Sequence, residues 1–259
     1  MSKKRQLPAN DIEDRLDIRS LAVDYPSGYT THSHSHVWHQ LIYASRGVMT
    51  VNTLSGSWVV PAKRAVWVPA NVVHEVVMHG LVSMRTLYMR DGITEALPSQ
   101  CCVLNVSPLL RELILRSVEI GMLDRTNSMH KHLIDVLLDQ LQTINSIPLQ
   151  LPMPLDPRAV RLAELLRQTP GETRSLHELA QVVGASKRTI ERAFVIDVNM
   201  TFGKWRQQLR LLSALRLLAE GQSVTAIALE VGYDSPSAFI AAFKTMLGTT
   251  PGRYYTQSK

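Results

Sequence analysis

Two stretches decide how this chain folds: "SLHELAQVVGASKRTIERAF", Ser175–Phe194, and "SVTAIALEVGYDSPSAFIAAF", Ser223–Phe243. Each runs cap, amphipathic helix, Val-Gly turn, second cap, second helix. Ala180 and Gly184 match Ala228 and Gly232 at an offset of 48, while Ile190 and Phe194 match Phe239 and Phe243 at 49, so the second turn is one residue longer. Ser175 with Glu178 spells a capping box, in which hydroxyl and carboxylate satisfy each other's free backbone donors. Gly184 and Gly232 stand where a helix must end in a left-handed turn. Ser186 and Ser235 are N-caps, and Pro236 takes a first helical position. Each stretch therefore reads as a helix-turn-helix whose second helix suits a DNA major groove. Between them "TFGKWRQQLRLLSALRLLAEG" reads as one long helix. It would hold two recognition helices on one face, about one DNA turn apart.

Charge agrees. The chain of 259 residues carries a net charge of +6, with 14 Lys+Arg against 9 Asp+Glu from residue 156 onward and 14 against 13 before it. A basic C-terminal part suggests an anionic partner such as nucleic acid. In the first recognition helix Arg188, Glu191 and Arg192 are exposed candidates for base contacts, while Ile190 and Phe194 face inward. Arginine reaches guanine bidentately, and glutamate accepts from cytosine N4. Ser186, Lys187 and Thr189 suit phosphates. The second helix has no charge from Ser235 to Phe243. Ser237, Ile240 and Ala241 can touch bases only weakly, with Ser235, Lys244 and Arg253 on phosphates.

Residues 158–256 resemble the C-terminal domain of AraC/XylS-type transcription regulators. The ending "GYDSPSAFIAAFKTMLGTTPGRYY" is the most specific part: Gly-Tyr, a Ser cap, Phe-x-x-x-Phe-Lys, then Gly-x-x-Pro-x-x-Tyr. The resemblance implies a unit that binds about two turns of double-stranded promoter DNA. It also implies that residues 188, 191 and 192 read bases.

The N-terminal half has another pattern. "LIYASRGVMTVNT", "GSWVVP", "RAVWVPAN", "HEVVMHG" and "SMRTLYM" read as successive short strands, the mark of an antiparallel sandwich or barrel. "SPLLRELILRSVEIG" and "SMHKHLIDVLLDQLQTI" then read as a helix pair on its flank. The expected fold is thus two-domain. An antiparallel β-barrel with a flanking helix pair precedes an all-α domain of two helix-turn-helix units joined by a linker helix. The expected divisions are a disordered tail 1–19, a sensing and dimerisation domain 20–147, a Pro-rich extended linker 148–156 and the DNA-binding domain 157–259.

"GYTTHSHSHVWHQLIYASRG", Gly28–Gly47, crowds four histidines together. As a strand it would point His32, His34, His36 and Gln40 one way, with Trp38, and His39 the other. With Pro69-x-Asn71-x-x-His74 it resembles the cupin barrel, with Lys63 and Asn71 where turn glycines are usual. That resemblance places His34, His36, Gln40 and His74 on the metal-ligand positions, Gln40 replacing a glutamate. A divalent transition metal or an organic effector is expected there. Trp38, Tyr43 and Trp67, with Trp58 nearby, are expected to wall an effector pocket.

The composition, 45% hydrophobic and 19% charged, is that of a globular protein. No apolar run approaches the roughly 20 residues of a membrane span. The N-terminus lacks a signal-like apolar core. The two cysteines, Cys101 and Cys102, are adjacent and form no zinc motif. These features lead us to expect a cytoplasmic, homodimeric, non-enzymatic regulator without a membrane partner. A metal-dependent cupin enzyme with an accessory DNA-binding domain, and a constitutive regulator with a vestigial barrel, are the alternatives.

Overall fold

The computed structural model describes residues 16–143, 146–147 and 149–257. Most of the expected N-terminal tail lies outside them. Its last residues do not: the first strand, β1, spans Ile18–Tyr25, with Ile18 wholly buried.

The strands that follow are β2 (His39–Thr53), β3 (Gly56–Pro61), β4 (Arg64–Val68), β5 (His74–Met89) and β6 (Cys102–Asn105). All pairings are antiparallel. β5 is one continuous strand of 16 residues, where the sequence suggested two with a turn between. It runs beside β2 along nearly its whole length. The register shifts between Ala44, Arg46 and Val48, next to Gly47 at φ +81°. A Cβ at Gly47 would lie 2.3 Å from the Leu81 carbonyl oxygen, so only glycine permits this bulge. There both strands bend. The first half of β2 pairs with β4, the second half with β3. The described strands form one nine-stranded sheet, which bends here and encloses a barrel-like interior.

Helix α1 (Pro108–Ile120) starts at the Ser107 cap with proline at its first turn, and α2 (Ser128–Gln142) starts at the Asn127 cap. A short strand between them, β7 (Met122–Leu123), pairs with β1. The two helices cover the outer face of β2, β4 and β5. Leu110, Ile114, Ile134 and Leu137 pack there against Leu41, Tyr43, Trp67 and Leu87. A two-residue strand, β8 (Ser146–Ile147), lies on β6.

The segment read as an extended linker is extended and also packs into the fold. β9 (Gln150–Pro152) pairs with β3, and Leu149 and Leu151 are buried. The one proline of β9, Pro152, lies on this edge strand, where no ladder donor is required of it.

The C-terminal region is all helix: α3 (Pro157–Gln168), α4 (Leu176–Val182), α5 (Lys187–Val198), α6 (Phe202–Ala219), α7 (Val224–Glu230), α8 (Pro236–Leu247) and α9 (Pro251–Gln257). The Ser175–Glu178 capping box forms, and Ser186, Ser223 and Ser235 each cap as read. Gly184 and Gly232 sit at φ +68° and +82°. α6 is the spine. Its Trp205 is wholly buried, meets the Phe194 ring edge-on at 5.2 Å and donates from Nε1 to the Pro152 carbonyl at 2.7 Å.

α6 also lies across β2, β3, β5 and β9, so one apolar cluster runs from the barrel interior into the helices. Gly80 lets the two parts touch: a Cβ there would sit 2.5 Å from the Ala219 carbonyl oxygen. Arg167 of α3 crosses the same seam to Ser57 Oγ at 2.9 Å and Asn52 Oδ1 at 3.3 Å. His79 is half-buried in the seam, 2.9 Å from Thr50 Oγ1 and 3.6 Å from the Glu220 carboxylate. Burial, and then the Arg216 charge, push its pKa down to about 4. The folded protein therefore holds a neutral ring that takes a proton near pH 6.5 once unfolded. Stability contributed by that difference is complete above pH 6.5 and is lost as pH falls toward 4. In chelator, the free energy of unfolding from denaturant titration is expected to stay level from pH 7.5 to about 6.5 and then to fall toward pH 5, by roughly 1.4 kcal/mol per pH unit for each such histidine. A value independent of pH over that range would contradict it.

Candidate functional site

The histidine segment is not a strand until His39. Before that it is irregular, tied to β5 by bridges of Thr30 with Val77 and His34 with His74 and by the backbone bonds of Gly28 to Met78 and Thr31 to Val76. Alternation therefore fails for His32, which is exposed and outside the cluster. The structure brings His34, His36 and His74 together, with one ring nitrogen of each lying within 4.8 Å of the others. Gln40 joins them: His36 Nε2 and His74 Nε2 lie 3.0 and 3.1 Å from its Oε1. His36, His74 and Gln40 are buried.

The hydrogen bonds around this group fix which atoms face inward. His34 Nδ1 lies 2.7 Å from the His32 carbonyl, His36 Nδ1 2.5 Å from the Trp38 carbonyl and His74 Nδ1 2.9 Å from the Val72 carbonyl. A carbonyl has no proton to give, so each Nδ1 carries the hydrogen. Burial pushes His36 below its usual range and His74 down to about 4, with neighbouring histidines adding to it. These two rings are neutral at pH 7, and their Nε2 atoms present bare lone pairs.

Gln40 is fixed as well. Its Nε2 donates to Thr86 Oγ1 at 2.9 Å, and Thr86 spends its own hydrogen on the Leu41 carbonyl at 3.1 Å. The amide cannot flip without losing that chain, so Oε1 also faces inward. Two ring nitrogens and one amide oxygen converge with no proton between them, and His34 stands beside them. Such convergence is unfavourable for neutral groups alone and favourable around a cation. The residues therefore fit a divalent metal. Imidazole and amide donors without a carboxylate suit zinc, nickel, copper or iron rather than magnesium or calcium. Lys63 and Asn71 adopt φ +65° and +63°, the left-handed conformations where glycine is usual.

The expected pocket wall does not form. Tyr43 and Trp67 lie on the outer face of the sheet, under the helix pair, on the side opposite Gln40. Trp67 donates to the Pro98 carbonyl and stacks on His39 at 5.2 Å. Trp38 is buried beside the cluster, and its carbonyl accepts the hydrogen bond from His36 Nδ1. Trp58 is buried in the interior cluster. Sequence reasoning missed a crevice between the barrel and α6. It holds about 350 Å³, between Gly47, Leu81, Arg46 and Leu215, Leu218, Tyr254. A smaller one of about 80 Å³ lies beside His79, with Arg167 and Arg216 in its wall. These cavities depend on a seam between distant segments, which no local pattern announces.

Helix α5 exposes Arg188, Glu191 and Arg192 and buries Ile190 and Phe194. Ser186 Oγ accepts from Thr189 N at 3.1 Å and caps the helix, and Thr189 is half-buried. Lys187 Nζ lies 3.8 Å from Glu191 on the same face. A concavity of about 450 Å³ beside α5 is lined by Arg188, Arg192 and also Arg158, which sequence reasoning passed over. Arg158 is held by Asp156, the cap of α3, at 2.8 Å. Its position two residues after a capping aspartate was the available signal.

In α8, Ser237 and Ala241 are exposed, as are Lys244 and Arg253 beyond them, while Ser235 caps the helix. Ile240 departs from expectation. It is half-buried and packs against the core, so Ala238 stands on the open face in its place.

No described helix is long and apolar enough to cross a membrane. A family profile described as an AraC-like ligand binding domain matches residues 17–155, and a helix-turn-helix domain profile matches residues 179–257. The chain is 36% identical over 225 residues to the HTH-type transcriptional regulator NimR of Escherichia coli, covering 87% of this chain and 82% of that protein. It is 33% identical over 105 residues to the HTH-type transcriptional regulator RipA of Corynebacterium glutamicum, covering 40% of this chain and 32% of that one. Among solved structures, unsaturated fatty acid bound ToxT from Vibrio cholerae aligns with a TM-score of 0.40 at 13% identity, over 94% of this chain and 96% of that one. The two profile matches and the relationship to NimR show that the chain belongs to the AraC family of helix-turn-helix transcription regulators, with an AraC-like ligand-binding domain ahead of its DNA-binding domain.

Proposed function

We propose that this regulator reads its promoter mainly through Arg188, Glu191 and Arg192 of α5, and that a divalent transition metal held by His34, His36, His74 and Gln40 sets the state of its barrel. The observation that carries the second half is the convergence of His36 Nε2, His74 Nε2 and Gln40 Oε1 with every nearby hydrogen already committed elsewhere. When bound, the metal supplies a positive charge that ties the irregular histidine segment to β5. The chain's own residues orient it: three backbone carbonyls hold the imidazole tautomers, and Thr86 holds the amide.

Ser186, Lys187, Thr189, Ser235, Lys244 and Arg253 bind phosphates in this reading. Ser237 and Ala241 make weak base contacts, and Ile240 supports the helix from behind. Residues from Ile18 to about 156 sense and dimerise, and the residues after them bind DNA. The protein works in the cytoplasm, as a homodimer, without a membrane partner and without catalysis. The seam between α6 and the barrel passes the barrel's state to the DNA-binding helices, because both sides share one core.

A second reading is favoured by the crevice at that seam. An organic effector seated between Arg46, Leu81 and Leu215 would touch both parts at once and bias their docking. The full chain, incubated with random-sequence DNA, is expected to enrich a site about two turns long. Footprinting should then protect two major-groove segments, one strictly defined and one loosely. Enrichment of no sequence would overturn the DNA-reading half.

A further inference from the structure

The linker helix carries two arginines one turn apart that neither reader uses. Arg206 Nη1 donates to the Arg174 carbonyl at 3.0 Å, and Arg210 Nη2 donates to the Glu172 carbonyl at 2.8 Å. Both carbonyls belong to the loop that leads into α4, the first helix of the first unit. The same Arg210 guanidinium lies 5.9 Å from the centroid of the Tyr233 ring, in the turn of the second unit. Arg210 therefore touches both units from the helix that joins them.

The backbone beneath it is unusually close. A Cβ at Gly171 would lie 2.2 Å from the Glu230 carbonyl oxygen. At Gly232 it would lie 2.8 Å from both the Gly171 carbonyl oxygen and Arg210 Nη2. The leading loop of one unit thus rests on the turn of the other with no side chain between them. Arg210 fills the angle they make. Its Nε is buried and has no hydrogen-bond partner among the described residues. Burial, then the charge of Arg206, lowers its pKa. Leaving a buried donor unpaired costs stability, and a plain apolar side chain would avoid that cost.

We propose that Arg210, wedged on the Gly171–Gly232 contact, fixes the distance and rotation between the two recognition helices and so makes the protein discriminate operators by the spacing of their two contacted segments. One inserted base pair moves the second segment by about 3.4 Å along the DNA and turns it by about 35°. A clamped pair of readers cannot follow both segments through that change; a hinged pair can. Arg210 acts through α5 and α8 and is a positioning residue. The proposal rests on both helices engaging DNA.

The test uses the full chain and an operator that the wild-type protein selects from random DNA, together with versions one base pair longer or shorter between the protected segments. The wild type is expected to lose about tenfold or more in affinity on either change, the scale of a mismatched contact. Arg210→Ala is expected to bind the original operator nearly as well but to lose no more than about threefold on the altered ones. Gly171→Ala, whose added methyl pushes against Glu230, is expected to prefer an altered spacing. It decides the matter if Arg210→Ala does not fold. Spacing discrimination kept intact in both variants would overturn the proposal. A wild type blind to spacing would overturn the two-reader premise and the proposal with it.

Discussion

The double variant Arg188→Ala/Arg192→Ala is expected to lose sequence-specific promoter binding while keeping its fold and its general attraction to DNA. Both side chains stand exposed on α5 and line one concavity beside it. Their removal takes nothing from the core, which Ile190 and Phe194 supply from the other face. Stability should therefore change by less than about 0.5 kcal/mol. Each bidentate contact to guanine contributes roughly 1–3 kcal/mol of discrimination. Loss of two should cost about 2–6 kcal/mol, or tens- to ten-thousandfold in the ratio of operator to random DNA. Lys244→Ala should behave differently. It should weaken binding to all sequences alike and flatten the salt dependence by about one unit. Titration of operator and scrambled DNA by fluorescence anisotropy at several salt concentrations separates the two. Undiminished specificity in the double variant would remove α5 from the reading role.

The second large effect is expected at the barrel. Wild-type protein purified without chelators should carry close to one divalent transition metal per chain, and His74→Ala should carry almost none. His74 links the irregular histidine segment to β5, since its backbone pairs with His34 and its ring faces Gln40. Removing one of four neutral donors from a site without a carboxylate leaves too little to hold the ion. The loss should exceed the 10–100-fold that changes in supporting residues cause. Thr86→Val tests the supporting role. It frees the Gln40 amide to turn its NH₂ toward the rings, so metal affinity should fall about 10–100-fold with the ligands intact. Elemental analysis and competition with a chelating dye measure both. Metal-free wild type would show that the four groups are only pocket lining.

The DNA-binding helices were legible in the sequence because their signals are local. Ser175 with Glu178, Gly184, Ser186, Gly232 and Ser235 each act within one turn of their own helix, so reading them needs no knowledge of the fold. The metal candidates His34, His36, Gln40 and His74 were legible as a motif, although the strand invoked to align them is not there. His32 fails for that reason.

What stayed hidden depends on pairing between distant segments. Trp67 sits opposite Leu41 in the ladder and shares its face, away from Gln40. Tyr43 follows by alternation, so both aromatics belong to the helix pair and not to a pocket. The prolines around Gln150 argued for an extended linker but could not show what it packs on. Its strand exists only because β3 and Trp205 are there to receive it. The seam crevice and the Arg210 clamp likewise arise from contacts that appear only once the chain is folded.

One measurement tests the central claim most directly: operator affinity of the full chain, loaded with metal and stripped by chelator, with His74→Ala beside it. A switch of this kind can move DNA binding only by as much as the metal distinguishes two states of the barrel. The account predicts a change of about tenfold or more between loaded and stripped wild type, and no response to metal in His74→Ala. Equal affinity of the loaded and stripped wild type would contradict it.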